Sequence, residues 1–185
     1  MLQSARCILL TFGFRGRFVD VTSGCEYSGG HKRNLMWGKG TFKSPTAVVI
    51  GDWKTNVQHG FCEIHWTDGT HFRGNYRYGW RKNYGEVTWP DGAQYRGQWL
   101  DNHRHGKGSM TFTNGIVWQG DYVHDARHGP GVLTWPNGDT FHGTWERGRR
   151  LGRGTFTDAL TGATHDQIWN EPANVRYNLG AAKWP

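Results

Sequence analysis

The chain has 185 residues, 28 of them Gly and 11 Trp, and aromatic residues make up 15% of the sequence against 36% for all hydrophobic types. A Gly costs about 1 kcal/mol inside a helix, which excludes a helical domain. Disordered chains lack this ring content, and the Gly residues do not fall at every third place as collagen requires. Lys and Arg number 22 against 15 Asp and Glu, a net +7 that favours acidic partners.

Along the chain, the N-terminal segment carries Arg6, Arg15 and Arg17 with no acid before Asp20. That pattern is shared with mitochondrial presequences; the competing reading is an edge strand through Ile8, Leu9 and Leu10 that caps the fold. The apolar run Cys7–Phe12 falls far short of the ~20 residues that cross a bilayer. The three Cys, at 7, 25 and 62, are odd in number and form no C-x-x-C pair. A disulfide framework is therefore not expected, and a reducing compartment is. Residues 12–26 read as a half repeat, because Ser23-Gly24-Cys25-Glu26-Tyr27 echoes Asp91-Gly92-Ala93-Gln94-Tyr95. A looser unit runs from Tyr27 to Gly40, and regular units start near Val49, Phe72, Tyr95, Trp118 and Phe141. At the far end His165–Trp169 keeps the ring spacing without the Gly, as a terminal cap of a repeat array does. The expected organisation is a cap over 1–26, an array of about six hairpins over 27–164, and a cap strand and tail over 165–185.

The period is 23 residues. Phe72, Tyr95, Trp118 and Phe141 form one ring column, and Trp53, Tyr76, Trp99, Tyr122 and Trp145 a second. Trp66, Trp89, Phe112 and Trp135 form a third, and Ile64, Val87, Met110, Leu133 and Phe156 an apolar fourth. Gly51, Gly74, Gly97, Gly120 and Gly143 keep the same phase. Asp68-Gly69, Asp91-Gly92, Asn114-Gly115 and Asn137-Gly138 close the units, and such pairs suit two-residue type I′ hairpin turns. Alternation then sends Tyr95, Gly97 and Trp99 to one face and Arg96 and Gln98 to the other. These features predict an all-β, elongated single-sheet antiparallel β-hairpin solenoid that advances about 10 Å per repeat.

The phrase Tyr95-Arg96-Gly97-Gln98-Trp99, a short loop, then His105-Gly106-Lys107-Gly108 and a turn, resembles the MORN repeat (membrane occupation and recognition nexus) over residues 27–169. The sequence departs from that pattern at Lys82-Asn83, at Leu151, and at Cys62, where the second Gly usually stands. The resemblance implies a single-sheet solenoid used for scaffolding and protein docking, often in cilia, flagella and other cytoskeletal assemblies. It also implies an older family theme, binding to phosphoinositide membranes.

A one-layer sheet has no second layer to hide about ten rings, so its ring face must curl, or be covered by the tail at 170–185 or by a partner. The expected protein-binding residues are Trp66, Trp89, Phe112, Trp135, Trp99 and Tyr122, offered to a partner helix or peptide. The alternative is that these rings are the solenoid core. Arg81, Arg104, Arg127 and Arg150 also recur at 23 and read as a basic loop edge for acidic protein tails, or as four solvated arginines. No cofactor and no metal is expected. The column His59, His105, His128 places its imidazoles one repeat apart, too far for a shared ion at ~2.0–2.1 Å, and His103 with His105 lacks a further ligand. No acid pair, nucleophile set or phosphate loop is identifiable. The Gly-x-Gly pairs at 106/108, 129/131 and 152/154 belong to the repeat and open no helix. Nucleic acid is disfavoured because rings and arginines are expected on different faces.

The resulting expectation is a non-enzymatic scaffold in a ciliary or flagellar axonemal, or other cytoskeletal, assembly. The alternative is a peripheral protein that binds anionic lipid through the basic edge, and for location a mitochondrial one. Unpaired terminal strands leave a dimer open.

Overall fold

The structure, a computed structural model, describes residues 7–12 and 15–169, with side chains from residue 16 onward. The described residues are all-β and contain no helix. The chain forms two compact units, Met1–Pro90 and Asp91–Pro185. In the first, β1 (Cys7–Phe12), β2 (Arg15–Asp20), β3 (Cys25–Lys32), β4 (Leu35–Lys43), β5 (Ala47–Lys54), β6 (Val57–Trp66), β7 (His71–Arg77) and β8 (Trp80–Thr88) pair antiparallel in chain order. In the second, β9 (Gln94–Leu100), β10 (His103–Thr111), β11 (Val117–Val123), β12 (Ala126–Thr134), β13 (Thr140–Glu146), β14 (Arg149–Thr157) and β15 (Thr164–Trp169) do the same. The segment Ile8–Leu10 is a strand, with Ile8 opposite Val19. The tail at 170–185, expected as a cover for the ring face, lies outside the described residues.

The turns are placed differently from expectation. Two consecutive positive φ angles, the mark of type I′, occur at Arg33-Asn34, Thr55-Asn56, Tyr78-Gly79, Asp101-Asn102, His124-Asp125 and Arg147-Gly148. At the Asp-Gly and Asn-Gly sites only the Gly has positive φ. Those connections are three-residue loops: Gly69 N–H donates to the Trp66 carbonyl (3.1 Å) and Trp66 N–H to that of Thr70 (2.9 Å). The acid or amide at the first position caps the loop, as Asp68 Oδ1 accepts from Thr70 N–H at 2.7 Å and Asn114 Oδ1 from Ile116 N–H at 3.1 Å.

Paired glycines make room for the rings. Gly97 faces Gly108, and Gly108 in turn faces Gly120; the same band crosses the first unit as Gly29, Gly40, Gly51, Cys62 and Gly74. Tyr95 folds back across this band, and its hydroxyl donates to the carbonyl of Gln98 (2.9 Å). A Cβ at Gly108 would sit 2.5 Å from the Tyr95 ring. Phe72, Tyr95, Trp118 and Phe141 reach 0–1% exposure this way. The second ring column packs edge-on against the first, as in Tyr95–Trp99 (5.3 Å, 89°) and Phe141–Trp145 (5.7 Å, 83°).

Cys62 fits this scheme. Its repeat carries Val49 where the others carry a ring, so no ring lies over that stretch of the band. The thiol fills the space, is fully buried, and burial pushes its pKa up to about 11. It is a packing residue and not a reactive one. The Lys82-Asn83 departure is equally accommodated: Gly106, Gly129 and Gly152 adopt φ near +66°, and Asn83 adopts +59° in the equivalent place.

Candidate functional site

The arginine column is not a solvated edge. Arg81 lies over Phe72 (5.4 Å), Arg104 over Tyr95 and Tyr122 (5.6 and 4.9 Å), Arg127 over Trp118 (5.5 Å), and Arg150 over Phe141 and Trp169 (4.3 and 4.6 Å). Each guanidinium thus covers the ring file from the side opposite the sheet. The expectation that rings and arginines fall on different faces is therefore corrected. Both sit on the inner face because the ring folds down over glycine and leaves a slot for the arginine of the following strand in the same repeat.

The arginines also join consecutive repeats. Arg104 Nη2 donates to the Asp125 carbonyl (2.8 Å) and Arg127 Nη2 to that of Gly148 (3.0 Å), in each case the second residue of the next type I′ turn. Asp125 N–H and Gly148 N–H return bonds to the carbonyls of Arg104 (3.0 Å) and Arg127 (2.9 Å). Arg104 is 6% exposed, and Asp125 Oδ1 accepts from its Nε (3.1 Å) and its backbone N–H (2.9 Å). Burial pushes the Asp125 carboxyl up, but the bonds from Arg104 and His103 outweigh it and hold the group below its ordinary value. Burial pulls the Arg127 guanidinium down. All four arginines lie over the protein's own rings, and Arg104 and Arg127 are also bonded to its turns.

Trp99 and Tyr122, expected on a docking surface, are 5% and 2% exposed. They are core rings, with arginine and neighbouring rings as their cover; burial pushes the Tyr122 phenol up to about 12. The other four expected docking residues differ. Trp66 and Trp89 in the first unit, and Phe112 and Trp135 in the second, are half-exposed beside the three-residue loops. Trp135 meets Phe156 at 5.7 Å, and a shallow cleft there is lined by Trp135, Pro136, Asn137, Asp139 and Phe156. Phe156, placed by sequence in an apolar column, is thus a wall of that cleft.

Two features escaped the sequence reading. One is a basic aromatic edge on the type I′ turns of the first unit, where Lys54 lies 5.2 Å over Tyr78 and 6.0 Å over Trp37, and Lys32 lies 5.0 Å over Trp37. The other is a cluster of Glu63, His65 and His71. Its signal was present: His65 and His71 flank a short loop, which places them opposite one another, and Glu63 shares the face of His65.

A profile of the MORN repeat matches residues 27–46, 50–71, 72–94, 95–117, 118–140 and 141–159. No curated protein sequence matches the chain. Among solved structures, the TCP domain of Drosophila melanogaster SAS-4 (dCPAP), in complex with a proline-rich motif of Ana2 (dSTIL), superposes with a TM-score of 0.56 at 10% identity, over 91% of this chain and 96% of that one. A point mutant of the TCP10 domain of Danio rerio CPAP matches at a TM-score of 0.29 and 13% identity, over 91% and 97%. The first of these shares the fold. Six consecutive matches, five of them starting at the ring that lies over a glycine pair and one beside Val49, show that the chain belongs to the MORN-repeat family.

Proposed function

We propose that this chain is a non-enzymatic scaffold that takes an extended peptide segment of a partner along the loop-side rings of its second unit, Phe112 and Trp135, within a cytoskeletal assembly of the ciliary or flagellar kind that MORN-repeat proteins often serve. The observation that carries this reading is the Trp135–Phe156 cleft: two rings 5.7 Å apart with Pro136 beside them. Half-exposed rings in a shallow cleft suit a proline-rich peptide, which enters pre-extended and offers flat apolar rings with few unpaired donors. The Drosophila TCP domain, of the same fold, is bound to a proline-rich motif. Titration of the full chain with a proline-rich peptide tests the proposal. Trp135→Ala is expected to weaken binding by about tenfold or more, a typical loss for an aromatic anchor. Phe61→Ala, at an exposed ring on β6 outside this row, is expected to leave it unchanged. Equal binding by both variants would refute the docking site.

A second reading rests on the first unit's turn edge. Lys32, Arg33, Lys54 and Arg77 gather there with the exposed rings Trp37, Tyr78 and Trp80. This composition suits an anionic lipid surface, with rings at the interface and cations at the headgroups. Flotation with anionic vesicles that is lost in Trp37→Ala/Tyr78→Ala, while peptide binding persists, would favour it.

A further inference from the structure

We propose that Glu63, His65 and His71 form a binding site for a zinc-class divalent cation on the outer face of the first unit. The site is carried by β6 and β7. His65 and His71 are direct ladder partners, and Glu63 lies two residues before His65 on the same face. One ligand atom from each of the three lies within 4.8 Å of the others. Metal bonds of ~2.0–2.1 Å place tetrahedral ligands roughly 3.3 Å apart, so side-chain torsions alone close the gap.

Further observations point the same way. The imidazoles lie against one another, with centroids 4.3 Å apart and planes inclined by 16°, so both rings already share one spot on the surface and a turn of one ring would aim its in-plane lone pair at an ion held by the other. His71 Nε2 is buried and has no hydrogen-bond partner, a costly state for a ring nitrogen that a cation would relieve. Arg73 stands opposite Glu63 in the ladder, a nearby cation that would oppose an ion. Its guanidinium is turned to Glu86, at 2.8 and 3.0 Å. His65 is exposed, which gives the ion a path in and leaves a fourth position for water. Two imidazoles and one carboxylate select zinc-class ions over calcium or magnesium, which prefer all-oxygen shells. Bound there, the ion would tie β6 to β7 across the loop that follows Trp66. The site lies on the face opposite the ring file, so it stands or falls separately from the docking proposal.

The test is calorimetric titration of the full chain with Zn²⁺, with Mg²⁺ and Ca²⁺ as comparisons and Co²⁺ absorption to report coordination geometry. One equivalent is expected to bind with a tetrahedral Co²⁺ spectrum, and Zn²⁺ is expected to raise the thermal midpoint. His65→Gln, His71→Gln and Glu63→Gln are each expected to weaken Zn²⁺ binding more than ~10-fold, since outer-shell changes alone cost 10–100-fold. His103→Gln, in the second unit, is expected to change nothing at this site. His65 is exposed and Glu63→Gln is isosteric, so these two remain informative if the His71 variant does not fold. Zn²⁺ affinity unchanged in both would overturn the proposal, as would titration that follows His103 instead, or an octahedral Co²⁺ spectrum.

Discussion

Gly108 and Cys62 show how one side chain sets the packing of a repeat. Gly108 is small because Tyr95 lies on it; Gly108→Ala would force a Cβ to 2.5 Å from that ring. Overpacking of this kind costs about 1–3 kcal/mol, readable as a lower denaturant midpoint. Cys62 marks the reverse case, a side chain present because Val49 is not a ring. Val49→Phe alone is expected to destabilise by a similar amount, while Val49→Phe/Cys62→Gly recreates the pairing of the other repeats. The double variant should therefore be more stable than the sum of its singles, a coupling that a double-mutant cycle measures. Additive losses would show that ring and glycine do not act as a unit. The sequence displayed Cys62 as a departure but could not say why, because the cause lies on the strand across the ladder and not beside it in the chain.

At the level of the hairpin, the I′ turn and the arginine behind it act together. Arg104 bonds Asp125 through its backbone, its Nε and its Nη2 while it covers two rings. Arg104→Ala is expected to cost about 2–3 kcal/mol, because charge-assisted bonds to a buried donor are lost together with packing. Asp125 gives the pH dependence its sign. Its folded pKa lies below the ordinary 3.8, so the unfolded chain binds the proton more readily. The stabilisation is complete above that ordinary value and is lost as pH falls through the lower folded one. Thermal midpoints of the native chain should fall on acidification through this range, and those of Asp125→Asn should fall less. The strands, the ring faces and the period were legible because the 23-residue columns state them directly. The turn types were not. Asp-Gly pairs drew attention to one end of the hairpin, while the two-residue turns at the other end use pairs as unlike as Arg33-Asn34 and His124-Asp125. The arginine layer was hidden for a related reason: its turn partners are one repeat away, and period alone does not tell an outward side chain from one that folds across a ring.

Taken as a whole molecule, the chain divides its charge unevenly. Residues 1–90 hold 12 Lys and Arg against 6 Asp and Glu, and residues 91–185 hold 10 against 9. The basic excess therefore belongs to the unit with the exposed Trp37, Tyr78 and Trp80 edge, and the Trp135 cleft belongs to the other. Association through the first should weaken as salt rises, and peptide docking at the second should not. Period found the loop-side row, but it could not separate Trp135, which borders a cleft, from Trp99, which is core. The most direct test follows from that separation. Indole N–H resonances of the full chain, recorded during titration with a proline-rich peptide, report each Trp on its own. The account predicts that Trp135 shifts while the buried Trp53, Trp99, Trp118 and Trp145 hold still; shifts led by the buried set, with Trp135 silent, would contradict it.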